Sequence, residues 1–145
     1  MDSLKIKIIS SKVNLPEYVT AGSSGMDLQA AIDEPLTLEP GDFTLIPNGI
    51  KCEIPTGYEA QVRPRSGLAA KYGIGILNAP GTIDSDYRGE IKTIIFNFSN
   101  RPYTFEPGDR IAQMVICKIY QPQIEPIEII SKTERGAGGF GHTGK

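Results

Sequence analysis

Between residues 73 and 91 the chain reads Gly-Ile-Gly-Ile-Leu-Asn-Ala-Pro-Gly-Thr-Ile-Asp-Ser-Asp-Tyr-Arg-Gly-Glu-Ile. Apolar residues alternate as far as Leu77, Asn-Ala-Pro-Gly interrupts them, and a second run leaves through Thr82 and Ile83 before an acidic cluster. Alternation on either side of a Pro-Gly pair predicts a β-hairpin closed by a tight turn. Groups capable of chemistry crowd its returning arm: Asp84, Asp86, Tyr87 and Arg88, with Asn78 facing them from the outgoing strand. An amide at the mouth of an exposed loop backbone can read the edge of a flat ring, and a carboxylate on the next turn can orient water. A surface turn with solvated acids would carry the same residues, so the choice between the two rests on the rest of the chain.

Working outward, the same texture continues. The 145 residues suit one domain, long enough to bury about two-thirds of its chain surface. The 16 glycines and 11 prolines are spread along the whole length and punctuate short Val/Ile/Leu/Phe runs, which predicts an all-β fold of many short strands. A net charge of -2 supplies no global field for nucleic acid or an anionic membrane, so a polyanionic ligand must be held by local cations or backbone amides. Cys52 and Cys117 each sit in an apolar run and read as buried reduced thiols. One His and no Cys-x-x-Cys leave no zinc pattern. The opening Met-Asp-Ser-Leu-Lys-Ile-Lys-Ile-Ile lacks the apolar core of a signal peptide and no later stretch approaches a membrane span, so the expected compartment is the cytoplasm.

Strands are expected where Leu4, Ile6 and Ile8 alternate with lysines, and at 43–47, 50–54, 58–63, 92–98 and 110–119. The last is apolar on both faces and should be buried on both. Gln113 therefore stands in an apolar row and needs a partner. Thr37-Leu-Glu-Pro-Gly-Asp42 and Thr104-Phe-Glu-Pro-Gly-Asp109 are nearly the same hexapeptide, compatible with two halves of a pseudo-repeat or with two copies of a good turn. Asp27 closes the loop Ala-Gly-Ser-Ser-Gly-Met and is expected to tie down that loop's backbone, with direct catalysis as the alternative.

One stretch reads as helix, 66–73, with Ser66 as N-cap and Gly73 as stop. Arg63-Pro-Arg65 precedes it, so free N–H groups, a hydroxyl and guanidinium charge converge on what could be an anion site, or simply on a capped helix with a surface arginine. Residues 131–145 form a Gly-rich tail that cannot build a core, set off from a β domain at 1–130. Arg135 and Phe140 are its exceptions, a cation and an aromatic suited to a lid over phosphates and a base. Gly139 to Lys145 satisfies Gly-x-x-x-x-Gly-Lys, but no Ser/Thr or helix follows and the α/β context of a P-loop is missing.

Together and in order, these segments resemble the homotrimeric dUTP pyrophosphatases (dUTPases) across essentially the whole chain. The matching motifs are Ala-Gly-Ser-Ser-Gly-Met-Asp-Leu around Asp27, Arg-Pro-Arg-Ser-Gly-Leu ending at Leu68, Asn78 through Gly89, Arg-Ile-Ala-Gln-Met-Val from Arg110, and Arg135 to Gly144. Met26 stands where that family often has an aromatic, and His142 where many members carry Ser. The resemblance implies a jelly-roll-like β fold, a homotrimer whose sites take residues from all three subunits, and Mg²⁺-dependent hydrolysis of dUTP to dUMP and pyrophosphate, which keeps uracil out of DNA and supplies dUMP for dTMP synthesis. It implies that Asp84 activates the water attacking the α-phosphorus. Asn78, with the backbone at Gly81 and Ile83, would pair with uracil, and Tyr87 would pack under the deoxyribose. Arg65, Ser66, Gly67 and Gln113 would hold phosphates, while Arg135 clamps the γ end and Phe140 and Gly141 close over the base. Asp27 would support this region, and Mg²⁺ would be held mainly by phosphates and water with no direct protein ligand. The dCTP deaminases share the fold as the implied rival activity, and a catalytically silent trimer that binds nucleotide for regulation is the rival of another class.

Overall fold

The computed structural model describes residues 5–144. Leu4, expected to open the first strand, and Lys145, the last residue of the expected arm, lie outside the described residues. Among those described, the strands run β1 (Lys7–Ser10), β2 (Gly25–Gln29), β3 (Leu36–Leu38), β4 (Phe43–Pro47), β5 (Ile50–Glu53) and β6 (Tyr58–Arg63), then helix α1 (Ser66–Tyr72). They continue as β7 (Ile74–Ile76), β8 (Gly81–Ile83), β9 (Lys92–Asn97), β10 (Tyr103–Phe105) and β11 (Arg110–Lys118). The all-β reading holds, with one short helix. No helix among these residues is long and apolar enough to cross a membrane.

A four-stranded sheet of order β2-β11-β6-β8 and a three-stranded sheet of order β4-β9-β7 supply inward side chains to one shared core, and the pairs β1-β5 and β3-β10 add to it. Leu28, Ile46, Ile74, Ile95, Ile111 and Met114 are among the fully buried members, so both sheets are held by the same apolar cluster. Removing such side chains from water is the main stabilising term of the fold. The centre of β11 is buried on both faces, as its sequence requires, since Ile111, Ala112, Met114 and Val115 are all buried. Polar groups that enter the core are bonded. Asn97 donates to Leu38 O at 3.0 Å and accepts from the Ser99 amide at 2.9 Å, and Thr93 donates to Asn48 Oδ1 at 2.7 Å.

The twin hexapeptides lie against each other. Thr37 of β3 is in register with Thr104 of β10, their hydroxyl oxygens 2.8 Å apart, and each segment then closes the same turn, Asp42 N to Glu39 O and Asp109 N to Glu106 O, both at 3.1 Å. The repeated residues are thus a paired structural unit as well as two good turns.

Residues 73–91 depart from the expected hairpin. β7 pairs with β9 and β8 with β6, so the segment crosses from one sheet to the other through a turn containing a cis Ala79–Pro80 bond. Each arm is three residues long, too short for an isolated two-stranded ladder to compete with longer neighbours. Six-residue β9 offers β7 more ladder, and the Leu77 amide extends it by donating to Ile94 O at 2.9 Å. The helix also starts differently. Arg65, extended at φ -91° and ψ 129°, is the N-cap and makes no side-chain capping bond, so Ser66 is the first helical residue instead of the cap. Pro64 holds Arg63 extended, and Arg65 is extended in turn, so the chain turns helical at Ser66. Gly73 ends the helix as expected, at φ 64°, with its amide bonded to Ala69 O at 3.0 Å.

Candidate active site

A cleft of about 310 Å³ opens between the start of α1 and the loop before β2, lined by Ser23, Ser24, Gly25, Asp27, Arg65, Ser66, Gly67 and Gln113 among others. Three adjacent strands set its floor. In the β2-β11-β6 ladder, Gln113 lies opposite Asp27 on one side and Arg63 on the other, so all three side chains stand on one sheet face. Gln113 finds the partner its apolar row demanded: its Nε2 donates to Pro64 O at 2.9 Å, and its carbonyl end folds over Gly25 so closely that a Cβ there would collide with Oε1. Gly25 is small because that amide occupies its side-chain space.

Asp27 organises the cations. Arg65 Nε donates to Oδ1 at 3.1 Å and Arg110 Nη1 to Oδ2 at 3.2 Å, while Arg65 Nη1 donates to Arg110 O at 3.1 Å. The expectation for Asp27 was a tie to its own loop; it is instead the acceptor that fixes two guanidinium groups. With Asp27 and Arg65 side chains only 21% and 27% exposed, the pairing is partly shielded from solvent and fixes direction more firmly than a surface ion pair would. Arg65 Nη2 makes no hydrogen bond among the described residues and remains a donor for an anion. The cleft therefore presents a held guanidinium, a serine hydroxyl, the first helical amides and a carboxamide, a donor set suited to phosphate oxygens.

The second group lies elsewhere on the chain. Asn78 is exposed on the turn after β7, with its Nδ2 3.4 Å from where a Gly81 Cβ would stand. Ile83 ends β8, and Asp84 follows it as an exposed carboxylate whose backbone oxygen accepts from the Tyr87 amide at 3.1 Å. Tyr87 donates its hydroxyl to Glu90 O at 2.9 Å and lays its ring against Gly89, which locks the ring's orientation while leaving it 44% exposed. None of Asn78, Ile83, Asp84 or Tyr87 lines the Arg65 cleft. Only Ala79 and Pro80 approach it, as a wall of an adjoining hollow that shares Ser66 and Gln113.

A third group stands on the C-terminal segment, where Arg135, Phe140 and Gly141 line a hollow made wholly of that segment. Its described hydrogen bonds are local, such as Arg135 Nε to Gly138 O at 2.8 Å. A single chain therefore gathers Asp27, Arg65, Ser66, Gly67 and Gln113, and leaves the Asn78–Tyr87 corner and the arm residues apart. Arg110, assigned no role from sequence, proves to belong beside Asp27. Its place follows only from the sheet, which sets β11 beside the strand that carries Asp27. Among the described residues no group of three or more His, Cys, Asp or Glu side chains could hold a metal ion, and both Asp27 oxygens already accept from arginines.

Sheets, helix and cleft together define an all-β, jelly-roll-like protein with a cleft lined by hydrogen-bond donors. The dUTPase family model matches residues 11–144, and the chain belongs to that family. It is 54% identical over 146 residues to the deoxyuridine 5'-triphosphate nucleotidohydrolase of Fusobacterium nucleatum, covering 100% of both chains. Among solved structures it resembles the dUTPase of Staphylococcus bacteriophage 80alpha with dUPNHPP, with a TM-score of 0.85, 28% identity and 100% of both chains covered. It also resembles a mutant dUTPase from phage phi11 of S. aureus, a structure that describes coordination of a structural Mg(II) ion (TM-score 0.76, 25% identity, 88% of this chain and 98% of that one).

Proposed function

We propose that this chain hydrolyses dUTP to dUMP and pyrophosphate with Mg²⁺, as a homotrimer whose sites combine residues of different copies. The observation that carries the reading is the Arg65 cleft: a partly buried guanidinium, aimed by Asp27, stands beside Ser66, Gly67 and Gln113 in a chain of the dUTPase family. Phosphoryl chemistry asks little of a protein beyond positioning and charge neutralisation, and these groups supply both. Arg65, Ser66, the Gly67 amide and Gln113 hold the triphosphate. Asp84, exposed and unpaired among the described residues, is free to accept a proton from water and aim it at the α-phosphorus.

Asn78 and the backbone at Gly81 and Ile83 read the uracil edge, and the Tyr87 ring, fixed by Glu90 and Gly89, lies under the sugar where a 2′-hydroxyl would clash. Arg135 adds charge at the γ end, and Phe140, with Gly141 giving close approach, covers the base and excludes water. The side chains at the cleft suit an ion that arrives on the triphosphate and keeps its waters, because Asp27 is already committed to two arginines. When bound, Mg²⁺ supplies neutralisation of phosphate charge. Pyrophosphate release from dUTP, dTTP, dCTP and UTP, each with Mg²⁺ and with EDTA, tests this. Release from dUTP alone, lost with EDTA, is the expected result; ammonia from dCTP, or no release from any of the four by folded trimer, would overturn it.

A further inference from the structure

The Tyr87 ring, half out in solvent, is restrained by Gly89 beside it and by the bond from its hydroxyl to Glu90 O at 2.9 Å. Most bonds of residues 84–90 are local: the Tyr87 amide donates to Asp84 O at 3.1 Å, and Arg88 Nη1 to Ser85 O at 2.7 Å and to Tyr87 O at 3.1 Å. Among the described residues, a single hydrogen bond ties this segment to another part of the chain. Gly49, buried in the turn between β4 and β5, donates its amide to Glu90 Oε1 at 3.1 Å.

That turn is a fixed point of the fold. Asn48, itself buried, donates its side-chain amide to Gln29 O at 3.0 Å and accepts from the Thr93 hydroxyl at 2.7 Å, while the Ser11 amide donates to Gly49 O at 2.7 Å. Just past Glu90, the Ile91 amide donates to Ile50 O at 2.9 Å. The Glu90–Ile91 peptide is thus gripped twice, through its N–H by Ile50 and through the Glu90 carboxylate by Gly49, and these bonds set the direction of the carbonyl to which Tyr87 is tied. A carboxylate makes a stronger acceptor for an amide than a neutral group, and a buried amide left without one is costly, so the turn holds Glu90 firmly. Neither Glu90 nor Gly49 lines the Arg65 cleft or the hollow adjoining it.

We propose that Glu90 is a positioning residue for sugar selection: its carboxylate, held by the β4–β5 turn, fixes the height of the Tyr87 ring and with it the exclusion of a 2′-hydroxyl. The inference rests on the reading that Tyr87 packs under the deoxyribose, and it adds a residue that itself touches no nucleotide. dUTP and UTP differ by one oxygen, and a group displaced by about 1 Å can change a rate substantially. Loosening the clamp therefore admits UTP more than it harms dUTP, whereas general damage to the fold lowers both alike.

Steady-state kinetics with dUTP and UTP on the full chain and its variants, with circular dichroism to confirm the β fold, tests this. Glu90→Ala removes the carboxylate and Glu90→Asp is one methylene short of the Gly49 amide; each should lower the ratio of kcat/KM for dUTP over UTP about 5-fold or more, through faster UTP turnover. Glu90→Gln keeps an acceptor oxygen in place and should hold the ratio within about 2-fold of wild type. On a Tyr87→Phe background, where no hydroxyl remains to be tied, Glu90→Ala should lower the ratio no further. If Glu90→Ala fails to fold, Glu90→Asp carries the test. An unchanged ratio in the folded variants, equal losses for both nucleotides, or a further fall on the Tyr87→Phe background would each overturn the role of Glu90 while leaving dUTP hydrolysis standing. A ratio that Tyr87→Ala also leaves unchanged overturns the sugar reading of Tyr87 and this inference with it, and a wild type that releases no pyrophosphate from dUTP overturns the proposed reaction itself.

Discussion

In the proposed site Asp84 and Tyr87 have separate tasks, each open to a single substitution. Asp84 is exposed with no side-chain partner among the described residues, so replacing it removes a proton acceptor and little else. Asp84→Asn is expected to keep fold, assembly and nucleotide affinity while lowering kcat about 10²–10⁴-fold; single-turnover kinetics beside isothermal titration would check this, and near-normal turnover would remove Asp84 from the chemistry. Tyr87 is held by its hydroxyl bond to Glu90 O, so Tyr87→Ala frees the space beneath the sugar. The ratio of kcat/KM for dUTP over UTP should fall about 10-fold or more, and an unchanged ratio would exclude Tyr87 from sugar recognition.

The two cysteines separate by burial: desolvation pushes the Cys52 thiol up from 9.0 to about 11, whereas Cys117 is half-buried with Arg63 Nη2 3.7 Å from its sulfur. At pH 8 a thiol reagent should label Cys117 first and Cys52 only on unfolding. Because the folded-state pKa of Cys52 is the raised one, the unfolded chain releases that proton first. Its contribution to stability is intact below about pH 9 and falls as pH rises towards 11, which denaturant titration across that range would register.

At the scale of elements, what the sequence made legible was whatever is decided locally. Alternation located β4, β6 and β11 almost to the residue, Gly73 marked the helix end, and the two-faced apolar character of β11 announced its burial. What it left open was partnership. Nothing within residues 73–91 says that Ile74 and Ile76 will pair with β9, because the longer strand that outcompetes β8 begins only at Lys92, just past that stretch. Ser66 is the first helical residue because Arg65 already holds the extended cap backbone, a backbone choice that residue type does not announce. Asp27 likewise could not be seen to face Arg65 and Arg110 until the ladder put their strands side by side.

The C-terminal arm is an element whose role can be isolated. From Tyr120 onward its described hydrogen bonds stay within the segment, and Phe140 is fully exposed. Ending the chain before Arg135 should shift Tm by less than about 2 °C while lowering kcat about 100-fold. Thermal melts and pyrophosphate assays on the same preparation would check it, and a large fall in Tm would mean that the arm supports the fold.

For the whole molecule the decisive fact is separation. Arg65 and its companions share a cleft, Asp84 and Tyr87 occupy a corner that does not line it, and Arg135 and Phe140 stand on a third surface. The ordered motifs proposed the members of the site, but not which of them one chain brings together. If a site takes Asp84 from one copy and Arg65 from another, two defective chains can rebuild it. Asp84→Asn lacks the proton acceptor but keeps an intact cleft; Arg65→Ala loses the guanidinium but keeps Asp84, and Arg110 still covers Asp27. Each alone should be nearly inert. Unfolded together in equal amounts and refolded, they assort at random, and about a quarter of the sites should receive both intact residues and recover the corresponding share of wild-type turnover. Mixing the folded proteins without dissociation should recover none of it. Activity that never exceeds the sum of the two variants would place Asp84 and Arg65 of one site in the same chain.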